Sequence, residues 1–171
     1  RDAPLYHRTD VMGAASIIKG TSIGFPDFYT SLTRNKHFAE TYKGGGVIFV
    51  VDQAKLAQHY RLEPFDYFGH QPDSYMWDNR FNRAPERRRN EAEERVKGEI
   101  SHFIDYVSEI YFTDNVFDDL YEIGHDPYLT VEMVETIIDN PKFRSSQRSL
   151  VHAILAEQND RGVTAGRDAP L

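Results

Sequence analysis

Val47-Ile48-Phe49-Val50-Val51 is the stretch that most narrows the folds open to this chain. A continuous run of β-branched and aromatic residues reads as a strand buried on both faces; a half-exposed strand would alternate apolar with polar. Gly44-Gly45-Gly46 breaks the chain before it, and Asp52 can cap a short helix from Gln53 to His59 after it. Around this strand the pattern is one of short strands with small helices between them. Leu5 to Thr9 and Phe28 to Arg34 read as strands. Asp10 and Asn35 carry side-chain oxygens that can accept orphan backbone N–H groups, so they begin helices over Val11–Lys19 and up to Tyr42. Tyr60 to Phe65 reads as an edge strand ending at Pro64, and Ile104 to Phe112 alternates well enough for a last strand. From Asn115 the pattern becomes helical, over Val116–Ile123, Thr130–Asn140 and Phe143–Gln158, with Thr130 as a cap.

This outline predicts one α+β domain without a linker: a core over 3–113, a helical part over 114–160 and a tail over 161–171. A chain of 171 residues, 40% hydrophobic, can build a real core at that size. A net charge of -7 argues against a bulk binder of nucleic acid or anionic membrane. The chain has no cysteine, which excludes a disulfide framework, a thiolate metal site and a thiol nucleophile. Its seven histidines show no His-x-x-x-His spacing, so no metal is expected. No apolar run nears the roughly 20 residues a membrane span needs, and no charged-then-apolar leader opens the chain, so a cytoplasmic protein is expected. Arg1-Asp2-Ala3-Pro4-Leu5 recurs as Arg167 to Leu171; five residues are too few for a structural repeat, and a repeated processing junction is the better reading.

Asp66 to Arg87 has no clean period and carries Tyr67, Phe68, Tyr75, Trp77 and Phe81 among polar residues, which suits a long functional loop or plain aromatic packing. Directly after it comes Glu91-Ala92-Glu93-Glu94-Arg95-Val96. In an extended strand Glu91, Glu93 and Arg95 share one face, and Ala92, Glu94 and Val96 the other. Two carboxylates on one face repel, and a fold keeps such a pair more readily where the charge is used for general-base work or for holding a developing cation. The same residues are good helix formers, so a solvated helix over Glu86–Glu99 competes with the strand.

Three pieces in order, Leu5-Tyr6-His7-Arg8-Thr9, then Tyr29-Thr30-Ser31-Leu32-Thr33-Arg34, then Glu91-Ala92-Glu93, resemble the ADP-ribosyltransferase fold. In that family a first strand bears His or Arg, a second carries a hydroxyl motif or Tyr, and a late strand carries a catalytic Glu, often as Glu-x-Glu. Gly45 to Tyr60 is also similar to small phage-encoded proteins of this kind, for which the location would be a host cytoplasm. The resemblance covers about Leu5 to Phe112 and implies a split, mixed or antiparallel sheet with small helices and a C-terminal helical part. It departs from the family pattern at Arg8, which stands where a glycine is usual.

The resemblance implies that NAD is the substrate. Cleavage of the nicotinamide–ribose bond builds oxocarbenium character, which a carboxylate beneath the ribose stabilises. Glu93 would take that role and Glu91 would orient or deprotonate the incoming nucleophile. His7 would bond the adenosine ribose, with Thr9 beside it, and Arg8 or Arg34 would pair with the pyrophosphate, for which a guanidinium fork is well shaped. Ser31 and Thr33 would help hold Glu93, and Tyr29 or Tyr42 would stack on nicotinamide. Strand alternation admits either His7 or Arg8 to a cleft, and either Glu93 or Glu94 as the catalytic carboxylate. The implied reaction is ADP-ribosyl transfer to a macromolecular acceptor, a protein arginine first and a nucleic acid behind it. NAD hydrolysis, nucleotide modification, and a catalytically silent module that binds a nucleotide or blocks a host defence protein are the alternatives.

Overall fold

The computed structural model describes residues 3–42, 44–64 and 93–160. Six strands among these residues form one sheet: β1 (Leu5–Thr9), β2 (Tyr29–Thr33), β3 (Val47–Val51), β4 (Glu63–Pro64), β5 (Glu93–Lys97) and β6 (Val107–Phe112). Their order across the sheet is β4-β5-β2-β1-β3-β6. Every ladder is antiparallel, so the mixed alternative does not hold among the described strands. A parallel contact is confined to the isolated bridge Ile110–Phe143. The seam between β1 and β2 is short, with Tyr6 opposite Thr33 as its registered pair, whereas β1 lies along β3 from Leu5–Val51 to Thr9–Val47.

Among the described residues six helices accompany the sheet: α1 (Val11–Ile18), α2 (Lys36–Thr41), α3 (Gln53–Ala57), α4 (Asp114–Leu120), α5 (Val131–Ile138) and α6 (Ser145–Asp160). Four begin where a side-chain oxygen meets an orphan donor. The Gly13 N–H donates to Asp10 at 2.7 Å, Phe38 N–H to Asn35 at 3.0 Å, Lys55 N–H to Asp52 at 3.0 Å, and Met133 N–H to the Thr130 hydroxyl at 3.2 Å.

β3 is buried on both sides, as its composition predicts. Val47, Phe49 and Val51 face the main core, with Leu5, Leu32 and Val96 from the sheet and Ile17, Ile137, Val151 and Leu155 from α1, α5 and α6. The C-terminal helices therefore share one core with the sheet. On the other face Ile48 joins a smaller cluster with Ala39 of α2 and Tyr111 of β6, against which Tyr6 and Val50 pack. Cover on this second face is partial. Over β2 and β5 it presents Tyr29, Ser31, Thr33, Glu93, Arg95 and Lys97, none of them fully buried. Polar residues beside a half-covered sheet leave room for a site.

The last strand starts later than its alternation suggests. Phe103–Tyr106 form a 3-10 turn entered through His102, whose φ of 49° is left-handed, and β6 begins at Val107. The turn lets Phe103 drop fully into the core, its ring 6.0 Å from Phe49, and burial of that ring overrides the strand pattern. Among the described residues no helix is long and apolar enough to cross a membrane.

Candidate functional site

Register brings the three singled-out stretches together. Glu93 stands opposite Thr33, and Thr33 opposite Tyr6, so one row of side chains runs across β5, β2 and β1 on the half-covered face. Arg95 stands opposite Ser31 in the next row. A cleft of about 260 Å³ lies over these rows, bordered by Tyr6, Arg8, Ser31, Thr33 and Glu93 from the sheet. Phe38, Ala39 and Tyr42 form its wall from α2 and the residue after it. The Phe38 and Tyr42 rings lie 5.2 Å apart, and Tyr42 is exposed.

The two questions of strand frame resolve together: Arg8 and Glu93 face the cleft, while His7 and Glu94 turn to the core. The Arg8 guanidinium donates to three backbone carbonyls, Ala39 at 2.6 Å, Gly44 at 3.0 Å and Gly45. It thereby satisfies a carbonyl at the C-terminal end of α2, where helices leave acceptors unpaired. Gly45 has a φ of 79°, and a Cβ there would lie 2.3 Å from the Thr9 carbonyl oxygen, so this turn requires glycine. Among the described residues no carboxylate lies within 4.0 Å of Arg8. Burial lowers its pKa, yet a guanidinium stays protonated, so the cleft holds a cation whose charge carbonyl dipoles stabilise but do not neutralise.

Glu93 accepts a hydrogen bond through Oε2 from Arg95 Nε at 3.2 Å, and both side chains are largely shielded from water. Thr33 Oγ1 accepts from the Asn35 N–H at 3.0 Å, which joins the cleft strand to the cap of α2. Tyr6 has a raised pKa, chiefly from burial and then from Glu40 and Glu109, so it faces the cleft as a neutral phenol.

The remaining residues lie elsewhere. Thr9 packs on α1, where a Cβ at Gly13 would come within 2.2 Å of its Oγ1. Arg34 turns to the core side and pairs with Glu94, Nε to Oε1 at 2.7 Å with a second bond from its terminal nitrogen, and it also donates to Gln53 at 3.2 Å. Its fork is thus committed inside the protein. Tyr29 shares the cleft face but lies beyond the lining residues, under the Arg95 guanidinium at 5.2 Å. Glu91 falls outside the described residues. Tyr6 and Phe38 were not singled out in sequence, although each had a signal: Tyr6 is two residues from Arg8 on a strand, and Phe38 four from Tyr42 on a helix.

His7 borders the cleft, but its ring packs edge-on to Phe103 at 5.4 Å and lies 6.5 Å from Phe49. Burial lowers its pKa to about 4. The unfolded chain takes up a proton near pH 6.5 that the folded protein refuses until about pH 4. The associated stability is full above pH 6.5 and is lost as pH falls toward 4, by at most about 3 kcal/mol. Urea unfolding of wild type and His7→Leu between pH 4 and 7 is expected to show a steeper acid loss in wild type; parallel curves would place the imidazole in water.

Comparison with models of known families, with curated proteins and with solved structures finds no match.

Proposed function

We propose that the cleft binds NAD and transfers its ADP-ribose to a macromolecular acceptor, with a protein arginine as the first candidate. The observation that carries this reading is the pairing, in one cleft, of an Arg8 cation without a carboxylate partner among the described residues and the Glu93 carboxylate. A dinucleotide that carries phosphate charge and develops positive charge at its ribose matches both. Arg8 would meet phosphate oxygens with the N–H groups its three carbonyl bonds leave over. Glu93 would sit beneath the ribose and stabilise the oxocarbenium character as the nicotinamide bond stretches. Ser31 and Thr33, on the same strand face, would bond the ribose hydroxyls, and the Phe38–Tyr42 wall offers an aromatic surface to nicotinamide.

The volume sets a limit on this arrangement. About 260 Å³ lies just below the usual range of small-ligand sites, so the lined cleft would hold the nicotinamide riboside half and leave the adenosine half at its mouth. The arginine acceptor rests on the resemblance: Glu91-x-Glu93 matches the Glu-x-Glu pattern that goes with arginine acceptors in the ADP-ribosyltransferase family, where the first carboxylate would orient the incoming nucleophile.

Binding is testable apart from chemistry. The unfolding midpoint of the wild-type protein is expected to rise with added NAD and with added ADP-ribose, by about 2.7 kcal/mol of stability at a hundredfold excess over Kd. A midpoint indifferent to both would remove this reading.

A further inference from the structure

We infer that Arg95 is the positioning residue that aims Glu93 at the ribose, and that Tyr29 holds Arg95 in place; the inference rests on the NAD reading of the cleft. Glu93 and Arg95 are two residues apart on β5 and therefore project from the same face. The bond between them is a single contact, Arg95 Nε to Glu93 Oε2 at 3.2 Å, so Oε1 is the oxygen left to meet a ribose hydroxyl. The same guanidinium lies over the Tyr29 ring, 5.2 Å from its centroid. Tyr29 is braced in turn by Phe28, edge to face at 5.8 Å. A chain of contacts thus runs from an aromatic pair at the start of β2, through a flat cation, to one oxygen of the cleft carboxylate.

The physical need for such a chain is clear. A glutamate has three rotatable bonds, and Glu93 lies on a strand whose other face is core, so nothing in its own backbone fixes the carboxylate. Misplacement of a reacting group by about 1 Å can cost about 10²-fold in rate. Arginine suits the task better than lysine, because its plane can lie flat on a ring while one N–H points along the strand. Arg95 touches Glu93 and the ring but does not line the cleft, so it acts through Glu93.

The test is steady-state nicotinamide release by wild type, Arg95→Lys, Tyr29→Leu, the double variant and Lys97→Gln. Arg95→Lys keeps a cation but loses the flat fork, and is expected to lower kcat by about 10-fold to 100-fold with KM for NAD within about threefold. Tyr29→Leu should lower kcat in the same direction by less. The double variant should resemble Arg95→Lys alone, because both changes break one chain. Lys97→Gln removes a cation opposite Tyr29 without touching Glu93, and should leave kcat within about twofold. All four variants should keep the wild-type melting temperature within a few degrees. Turnover by wild type with kcat unchanged in Arg95→Lys, or with the loss confined to KM, overturns the positioning role and spares the NAD reading. No turnover by wild type overturns both. Additive losses in the double variant overturn the part assigned to Tyr29.

Discussion

Replacing Glu93 by Gln is expected to lower the rate of nicotinamide release by about 10²-fold to 10³-fold, the range measured when one preorganised charge-stabilising group is removed from an active site. The substitution is isosteric. It removes the charge that would meet the oxocarbenium centre but keeps a side chain able to accept from Arg95 and bond a hydroxyl. NAD affinity should therefore hold within a few-fold, and the loss should fall on kcat. Stability should change by less than about 1 kcal/mol, because glutamine fills the same volume and its amide oxygen can still accept the Arg95 hydrogen bond. A Glu93→Gln protein that retains wild-type turnover would take the catalytic carboxylate away from this position.

The neighbouring residue gives the opposite signature. Glu94 is 1% exposed, and its charge is met by Arg34, which also reaches Gln53. Among the described residues Glu94 Oε2 has no hydrogen-bond partner, so the carboxylate depends on Oε1 and the Arg34 fork. Arg34→Met would leave a buried carboxylate without its counter-charge, and a cost of about 3–5 kcal/mol is expected. The double replacement Arg34→Met/Glu94→Met should recover most of that loss, since well-packed apolar side chains replace a buried ion pair at little or no cost. Urea unfolding measures both. A double variant no more stable than the single one would mean that the pair does not act as a unit. Where the double variant is folded it should still turn over NAD, because the pair faces the core and not the cleft.

These contrasting outcomes come from register, which is also where sequence reading stops. β3 was legible because five apolar residues in a row admit few environments, and Asp10, Asn35, Asp52 and Thr130 were legible as caps because each precedes a periodic segment. The strand character of β5 was not readable from its own residues, which favour a helix; it followed from the order of the flanking stretches. Whether Glu93 or Glu94 enters the cleft depends on which of them stands beside Thr33 on the open face, and that pairing is a property of two strands 60 residues apart. The same holds for Arg34. Alone it is one more arginine suited to a phosphate; only the fold shows Glu94 and Gln53 converging on it. Arg8 was legible only as an alternative, since strand alternation admits either it or His7; the carbonyls of Ala39, Gly44 and Gly45, which hold it at the wall, come from a distant stretch of chain. The shared face of Glu93 and Arg95 was visible from strand alternation, but the ring beneath Arg95 was not.

On the NAD reading, the nicotinamide bond breaks over the face of the sheet that bears Arg8, Ser31, Thr33 and Glu93. The most direct test is nicotinamide release from NAD by wild type beside Glu93→Gln and Glu94→Gln, with melting curves on all three. The expected result is release by wild type, loss of release without loss of stability in Glu93→Gln, and loss of stability in Glu94→Gln with turnover kept wherever the protein remains folded. Release that survives in Glu93→Gln and disappears in a folded Glu94→Gln would contradict it and move the chemistry to the other face of the sheet.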